Sequence, residues 1–322
     1  MQYSHIFGPV HSRRLGRSLG IDLVPFKTCS YNCVYCECGR TTVETMERQE
    51  FFPVNEVLDE LREYFSRSPK LDFITFSGSG EPTLSSSIGD VIRFLKSSYP
   101  SYLIAVLTNG SLLLRPDVRE DILPADVILP TISSVFDETY RKIHRPAPGV
   151  SAMDIVEGLE CLRSEYSGEI WLEVFIIPGI NTSVEELDGL RAAIERICPD
   201  RVQLNTLDRP GAERWVKPAS PAQLEEIGRI LGLSGVEAVE PVRYELSAGS
   251  TMPGQWSDDV ARVHELIRRR PCTLEDICAS TGLSRREILK MLRKIQSGSR
   301  IEEKREERGI FYFCPEQDHT RV

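Results

Sequence analysis

Along residues 19–205, short apolar runs rich in branched side chains alternate with segments whose apolar positions recur every three or four residues. A short apolar run is typical of a buried strand, and the three-to-four spacing is typical of a helix. The strand-like runs are residues 19–24, 71–76, 103–107, 127–129, 170–177 and 201–205. The helical segments are residues 54–65, 88–98, a short stretch near Asp117, 151–166 and 184–197. This alternation predicts an α/β fold with parallel strands joined by right-handed helical crossovers.

Glycine and polar residues follow each of the six predicted strands. In parallel α/β folds, the carboxyl ends of the strands carry the chemistry. In chain order these sets are residues 29–36, 78–81, 108–110, 131–134, 178–181 and 205–206. We therefore expect all six sets to face one mouth of the fold.

The distribution of charge indicates two units. The net charge of the 322 residues is −9, which argues against a protein built wholly around a nucleic-acid backbone. Residues 255–322 hold 14 Lys and Arg against 12 Asp and Glu, so the acidity lies in the rest of the chain. Residues 247–254, with Gly249, Pro253 and Gly254, are typical of a linker. We expect a core domain over residues 1–250 and a small second domain over residues 255–322.

The sequence also favours a location in the cytoplasm. No apolar run approaches the roughly 18 residues that a membrane span needs, and the basic N-terminus lacks the apolar middle of a secretory signal. The nine cysteines could indicate disulfides, but in a chain of this length, with three of them in a metal-type cluster, they favour a reduced protein. We expect a soluble, cytoplasmic protein that does not bind membranes.

Three cysteines lie close together after the first predicted strand. Cys29, Cys33 and Cys36 are spaced so that one tight loop can bring three thiols to a single soft metal centre. Four thiolates normally fill an iron–sulfur cubane, so three would leave one iron open unless a distant cysteine closes it. Zinc is the alternative, but structural zinc usually takes two spaced ligand pairs, and the chain has no second CxxC or CxxH pair.

The run CSYNCVYC at residues 29–36 resembles the C-x3-C-x2-C signature of the radical SAM superfamily. The stretches FGPVHSRRLGRSLGID (7–22), CGRTT (38–42) and SGSGEPTL (77–84) strengthen the likeness, which covers about residues 1–250. Together they resemble a branch of radical SAM or Fe-S oxidoreductases near the tRNA wyosine-forming enzymes.

The resemblance implies a fold, two cofactors and a partner. The fold would be a partial (βα)6 TIM-like barrel. Cys29, Cys33 and Cys36 would hold a [4Fe-4S] cluster, and S-adenosylmethionine (SAM) would be the second cofactor. The implied partner is an electron donor such as a flavodoxin or a ferredoxin.

The glycine loop after the second strand is the expected SAM site. Gly78 and Gly80 let the backbone approach a ligand closely. By resemblance, Gly78, Ser79, Gly80 and Glu81 correspond to the loop that receives the amino group of SAM, with Ser79 in place of a glycine.

Five further positions are candidate cofactor neighbours, each with a structural alternative. Thr131 or Ser133 could hydrogen-bond the ribose and Asn181 could lie near it, or all three could cap strand ends. Asn109 is either a turn residue that tolerates a left-handed backbone or a cofactor neighbour. Tyr35 either shields the cluster or the adenine or packs in the core.

Substrate contacts and further catalysis have fewer candidates. Arginine's planar fork suits phosphates and carboxylates. The candidates are Arg13, Arg14 and Arg17, just before the first predicted strand, and Arg145 and Arg209, on long loops that follow strands. The first three could instead form a solvated arm paired to the acidic body, and the last two stand in loops bounded by proline. Cys38 is a candidate hydrogen-atom donor or substrate-side ligand, or an inert neighbour of Cys36.

The last part of the chain resembles a winged helix. Helices are predicted over residues 258–269, 274–280 and 285–296, followed by a hairpin over 300–304 and 310–313. The third helix carries the basic residues Arg285, Arg286, Lys290, Arg293 and Lys294, which could meet phosphates. The acidic hairpin favours a protein-docking module or a lid instead.

Three functions fit these observations. The first is a radical SAM enzyme acting on a macromolecule, RNA or protein, that the tail presents. The second is a radical SAM enzyme acting on a small metabolite, with a regulatory tail. The third is a DNA-binding redox sensor, against which the SAM loop counts.

Overall fold

The structure is a computed structural model, and it describes residues 3–233, 237–238, 256–298, 300–306 and 308–315. The sequence also predicts a strand over residues 236–242, most of which lies outside the described residues. The expected linker over residues 247–254 and the boundary between the two expected domains also lie outside them.

One eight-stranded sheet organises the body. Its strands are, in spatial order, β1 (Ile6–Ser12), β2 (Gly16–Ile21), β5 (Phe73–Phe76), β6 (Leu103–Thr108), β7 (Val127–Ile132), β8 (Glu169–Phe175), β9 (Arg201–Asn205) and β10 (Glu237–Ala238). The strands from β2 to β10 pair in parallel, and β1 pairs antiparallel with β2. A separate two-stranded pair, β3 (Thr28–Cys29) and β4 (Val43–Glu44), lies in the cysteine loop.

Helices connect the parallel strands, as the sequence predicts. They are α1 (Val54–Phe65), α2 (Ile88–Ser98), α3 (Pro116–Ile122), α4 (Asp137–His144), α5 (Ala152–Glu165), α6 (Val184–Ile197) and α7 (Pro221–Ile230), and a short 3-10 turn spans Pro82–Leu84. The bounds of α1, α2 and α6 match the predicted segments. The predicted strands are confirmed within a few residues at each end.

Strand β1 and helix α4 were not predicted. Strand β1 contains a Gly-Pro pair and two polar residues, so its sequence IFGPVHS lacks both a continuous apolar run and a clean alternation. Helix α4, of sequence DETYRKIH, has mainly charged residues and buries Tyr140, Ile143 and His144. Tertiary packing therefore decides both elements, since neither carries a strong local pattern.

The core lies on both faces of the parallel strands. β5 is buried at all four positions, and β7 and β8 are buried at all but one. Such continuous burial is typical of parallel strands that pack apolar side chains on both faces. The helix starts are well defined, because Ser151 and Ser220 both close capping boxes. The strand ends are therefore rigid supports for the loops that follow them.

The last described part of the chain forms its own small cluster. Helices α8 (Trp256–Arg269), α9 (Leu274–Thr281) and α10 (Arg285–Gln296) pack around an apolar core that includes Val263, Ile277 and Leu292. A three-stranded sheet joins β11 (Cys272–Thr273), β13 (Gly309–Phe313) and β12 (Glu302–Glu306) in that order. The hairpin and the helices agree with the prediction, and β11 is an addition. We refer to residues 256–315 as the tail.

No helix in the described part of the chain combines the length and the apolar character needed to cross a membrane.

Candidate functional site

The cysteine loop follows β2 and is fixed from two sides. The backbone N–H groups of Asn32 and Val34 donate to the carbonyls of His144 and Ile143, at 3.1 and 2.9 Å. The end of α4 therefore holds the middle of the loop. On the other side, Glu81 N–H donates to Thr28 O at 3.2 Å, which ties the loop to the glycine loop after β5.

Three half-buried, free thiols come together on this loop. Cys29, Cys33 and Cys36 are close enough to influence one another's ionisation. Burial raises the pKa of Cys29 to about 12 and raises that of Cys33 well above its ordinary value, and neighbouring negative charges add to both shifts. A hydrogen bond with Cys38 lowers the pKa of Cys36 to about 5, and Lys27 reinforces this shift. The loop thus places two proton-retaining thiols beside one that ionises readily.

Nitrogen donors surround these sulfurs. Lys27 Nζ lies 3.3 Å from Cys36 Sγ, and Asn109 Nδ2 lies 3.6 Å from Cys29 Sγ. Among the described residues, no group of three or more Cys, His, Asp or Glu side chains has a spacing that would hold a single metal ion. The donor set does suit an iron–sulfur cluster in its chemistry, because it offers three thiols with N–H groups directed at sulfur. The residues present therefore fit such a cluster.

An aromatic group covers one side of the thiols. His144 is only 1% exposed and its Nδ1 lies 3.5 Å from both Cys33 Sγ and Tyr35 Oη. Burial lowers the pKa of His144 to about 3, so the imidazole is neutral near pH 7. The Tyr35 ring stacks on Phe175 with a centroid distance of 3.7 Å. Both of the expected roles of Tyr35, packing and shielding of the thiols, are therefore compatible with its position.

The glycine loop lies directly against the end of β2. Ser79 donates its N–H and its hydroxyl to the carboxylate of Asp22, at 3.3 and 3.4 Å. A side chain at Gly78 would collide with Asp22, and one at Gly80 would collide with the carbonyl of Thr28. Glycine is required at both positions because the backbone approaches its neighbours so closely.

Glu81 is buried and accepts four hydrogen bonds. Its donors are Thr83 N–H and Oγ1, Thr108 Oγ1 and Asn109 N–H, at 3.1, 2.6, 2.7 and 2.7 Å. Burial raises the pKa of Glu81, and these donors oppose the shift. The carboxylate thus joins the glycine loop to the end of β6, a role that the sequence did not indicate. It is compatible with the expected contact to the amino group of SAM, since a carboxylate has about four acceptor sites and the Asn109 donor leaves one on Oε2.

Replacement of Glu81 by Gln is expected to weaken both stability and SAM binding. The new amide would direct N–H groups at donors, and a buried unsatisfied polar group costs about 1–3 kcal/mol. We expect the free energy of unfolding to fall by about that amount, with a clear loss of SAM affinity in equilibrium dialysis. The control is Glu120→Gln at an exposed position on α3, where a change within about 0.5 kcal/mol is expected. Wild-type stability of Glu81→Gln would contradict the bracing role.

The other candidate cofactor neighbours occupy different settings. Asn109 lies at the centre of the site, donating to Ser30 Oγ at 2.9 Å as well as approaching Cys29. Asn181 is fully buried and donates to the carbonyls of Ser133 and Phe175, both at 2.8 Å. Thr131 donates to Glu173 at 3.0 Å. Ser133 Oγ is buried, and the described residues offer it no hydrogen-bond partner. Of these four, Asn109 therefore lies beside the thiols, and Asn181 braces two loops.

The N-terminal arginines do not form a single clamp. Arg14 forms an ion pair with Glu173, a buried carboxylate on β8. Arg13 lies 3.9 Å from Glu37 and 4.0 Å from Asp208. Arg17 pairs with His11 in the β1–β2 ladder, and its backbone N–H donates to Asp72 at 2.7 Å. Arg13 and Arg14 are therefore paired with carboxylates of the body.

The two loop arginines are also engaged. Arg145 caps α4 in a left-handed conformation and donates to Glu213 at 2.7 Å. Arg209 is 4% exposed and forms ion pairs with Glu37, at 3.2 Å, and with Asp276 of α9. Arg209 therefore connects the cysteine loop to the tail, and this connection joins residues far apart in the sequence.

A cavity separates the cysteine loop from the tail. It has a volume of about 1010 Å³ and is lined by residues that include Cys38, Arg40, Arg214, Arg270 and Lys304. The sulfur of Cys38 lies 3.9 Å from the carbonyl of Gly78 in the glycine loop. Cys38, a candidate hydrogen-atom donor or substrate-side ligand from the sequence, thus lies both beside the glycine loop and on the cavity wall.

Sequence reasoning missed several residues of this site, including four charged ones. Lys27 contacts Cys36, Asp22 holds Ser79, Glu37 pairs with Arg209, and Glu173 pairs with Arg14. Lys27 stands two positions before Cys29, and Asp22 directly follows β2. Their proximity to the cysteine motif and to a strand end was the available signal. A lysine or an aspartate does not indicate such a contact unless its partner is known.

Comparisons with known proteins identify the family of the chain. The family model described as the radical SAM superfamily matches residues 23–190. A UPF0026 protein from Methanocaldococcus jannaschii is 37% identical over 229 residues, covering 70% of each chain. A protein from Brachyspira hyodysenteriae named GTPase Obg is 33% identical over 304 residues, or 94% of this chain. The chain spans only 44% of that relative's length.

A solved structure shows the same fold. The structure of Streptococcus suis SuiB bound to the precursor peptide SuiA has a TM-score of 0.50 and 13% identity. The likeness covers 65% of this chain and 44% of SuiB. The chain belongs to the radical SAM superfamily and is an enzyme of that family, whose members use a [4Fe-4S] cluster and SAM.

Proposed function

We propose that the chain cleaves SAM reductively and uses the resulting radical to modify a macromolecule, with RNA as the first candidate. The observation that carries the proposal is the direct backbone connection between the cysteine loop and the glycine loop. Lys27 N–H donates to Ser79 O at 3.0 Å, and Glu81 N–H donates to Thr28 O at 3.2 Å. This connection supports a cluster and a SAM molecule bound side by side.

Each residue of the site then has a defined task. Cys29, Cys33 and Cys36 would hold the cluster, and residues 78–81 would receive the amino group of SAM. When bound, the two cofactors supply one electron and a sulfonium bond, which together give methionine and a 5'-deoxyadenosyl radical. Tyr35 and Phe175 exclude water beside the thiols. A small low-potential protein such as a flavodoxin or a ferredoxin would supply the electron.

The proposal also includes the domain architecture of the chain. Six parallel strands from β2 to β9, each followed by a loop at the mouth, support a partial (βα)6 barrel within a core domain of residues 1–250. Three helices and the β11–β13–β12 sheet support a winged-helix domain within residues 255–322.

An assay of SAM cleavage tests the reaction. Protein reconstituted with iron and sulfide without oxygen, and then mixed with dithionite and SAM, is expected to form 5'-deoxyadenosine, measured by chromatography with mass detection. Absence of this product from protein with a full cluster would contradict the proposal. If that protein also bound a specific DNA duplex tightly, the redox-sensor alternative would replace it.

The exposed face of α10 supports an RNA substrate. Ile288, Met291, Leu292 and Ile295 are buried, so the polar face of the helix is exposed to solvent. That face carries the basic residues Arg285, Arg286, Lys290, Arg293 and Lys294. Basic side chains in such an array contact phosphates, and this kind of binding weakens steeply with salt.

Removal of two of these charges is expected to weaken RNA binding. In the double variant Arg286→Gln with Arg293→Gln, the plot of log affinity against log salt concentration should have a shallower slope. The slope should change by about 0.7 for each phosphate of single-stranded RNA that the variant no longer neutralises. The control is Arg191→Gln with Arg196→Gln on α6, which removes the same charge from the body. Filter binding across a salt series gives both slopes. Equal slopes in the two variants would contradict an RNA role and leave a protein or a small metabolite as the substrate.

A further inference from the structure

A buried lysine joins the two loops of the site. Lys27 is 2% exposed and has a left-handed backbone, with φ 61°. Its N–H donates to Ser79 O in the glycine loop, and its carbonyl accepts from Thr42 and Val43 N–H, at 3.1 and 3.2 Å. The backbone of Lys27 is therefore committed to holding the loops, which leaves its side chain free for another task.

The ammonium group of Lys27 is directed at a sulfur. Its Nζ lies 3.3 Å from Cys36 Sγ. In the described parts of the chain, Lys27 forms no ion pair with an Asp or Glu side chain. A charge removed from water is costly unless it is compensated, so the compensating charge here must come from sulfur. An anionic centre bound to Cys36 would provide it.

We propose that Lys27 is a positioning residue that makes the cluster of this enzyme easier to reduce. The inference rests on the proposed cluster ligands. Reduction transfers one electron from the external donor to the cluster and adds one negative charge, with no bond made or broken. A fixed positive charge 3.3 Å from a ligand sulfur stabilises the reduced state more than the oxidised state. Hydrogen bonds to sulfur and net charge are established determinants of cluster potential.

The side chain can be changed without altering the backbone role. Methionine has an unbranched stem of similar length, so the left-handed backbone constrains Met and Lys in the same way. Lys27→Met removes the charge and the donor together. Lys27→Gln removes the charge but keeps an N–H donor on a shorter side chain, and Lys27→Arg keeps both the charge and the donor. Lys70→Met is the matched control. Lys70 is exposed and precedes β5, so it lies near the amino-terminal ends of the strands, away from the mouth.

A redox titration of the reconstituted enzyme without SAM tests the proposal. The reduced cluster is followed by electron paramagnetic resonance, and its iron content is determined in parallel. In Lys27→Met, the ratio of reduced to oxidised cluster at a fixed potential should fall at least tenfold, which is about 59 mV for a one-electron couple. Lys27→Gln should shift less, and Lys27→Arg and Lys70→Met should match the wild type.

The outcomes separate this inference from the proposed function. A Lys27→Met protein with full iron and an unchanged midpoint overturns the inference. If that protein instead binds SAM more weakly at an unchanged midpoint, the ammonium serves SAM and not the cluster. If Lys27→Met does not fold, the midpoint of Lys27→Gln decides. Failure of the wild type itself to hold a cluster would refute the proposed function.

Discussion

Replacement of Cys33 by Ala is expected to abolish both the cluster and the cleavage of SAM. The loop offers three thiols, and Cys33 is the one that lies beside His144 and Tyr35. Without it, two thiols would remain for a cluster that needs at least three protein ligands to be held in place. We expect the visible absorbance of the cluster to disappear, the iron content to fall to background, and 5'-deoxyadenosine to become undetectable.

The matched control for this change is Cys198→Ser. Cys198 is exposed at the end of α6, where its backbone caps the helix. This variant should keep the iron content and the cleavage rate of the wild type. Full SAM cleavage by Cys33→Ala would refute its assignment as a cluster ligand, whatever the fold of the protein.

Replacement of Asp276 by Asn is expected to loosen the tail. Asp276 receives ion pairs from Arg209 and Arg308 and is 5% exposed at its side chain. Removing one partner from a buried ion pair typically costs about 3–5 kcal/mol, because the remaining charges stay buried without compensation. We expect a fall of this size in the free energy of unfolding of the tail, measured by urea denaturation with circular dichroism.

The neighbouring residue provides the control. Glu275 pairs with Arg285 at 2.6 Å, but both side chains are well exposed. An exposed pair contributes about 0–1 kcal/mol, so Glu275→Gln should change the stability little. Equal effects of the two substitutions would show that the buried ion pairs do not anchor the tail.

The same ion pairs give the stability a pH dependence. The guanidinium groups of Arg209 and Arg308 lower the pKa of Asp276 below its ordinary value of 3.8, against the effect of its burial. A carboxylate with a depressed folded-state pKa stabilises the fold above its unfolded-state pKa. That contribution is lost as the pH falls from about 3.8 through the folded value.

The regular elements could be predicted where the local pattern was strong. Helices α1, α6 and α10 bury one face and expose the other, and their predicted bounds match the structure. Strand β1 and helix α4 were missed because long-range packing stabilises them. The sequence placed the cysteines and the glycine loop at adjacent strand ends, and the structure brings these strand ends together.

The site's charged contacts could not be predicted in the same way. Arg209 meets Asp276 across 67 positions of the chain, and Arg269 meets Asp22 across 247. Such pairs depend on how the tail docks, which no local pattern encodes. The arginines were predicted as substrate contacts, and their carboxylate partners could not be named from the sequence; in the structure, Arg13, Arg14, Arg145 and Arg209 pair with carboxylates.

One carboxylate is shared by two parts of the molecule. Asp22 accepts from Ser79 of the glycine loop and from Arg269 of the tail. Any ligand that draws Arg269 away from Asp22 alters the support of the glycine loop. Thermodynamic linkage requires the reverse coupling to be of equal size, so a cofactor that alters the Ser79–Asp22 contact would alter the Asp22–Arg269 contact by the same free energy. Cofactor binding at the glycine loop and the contact between Asp22 and Arg269 of the tail are thus coupled parts of one equilibrium.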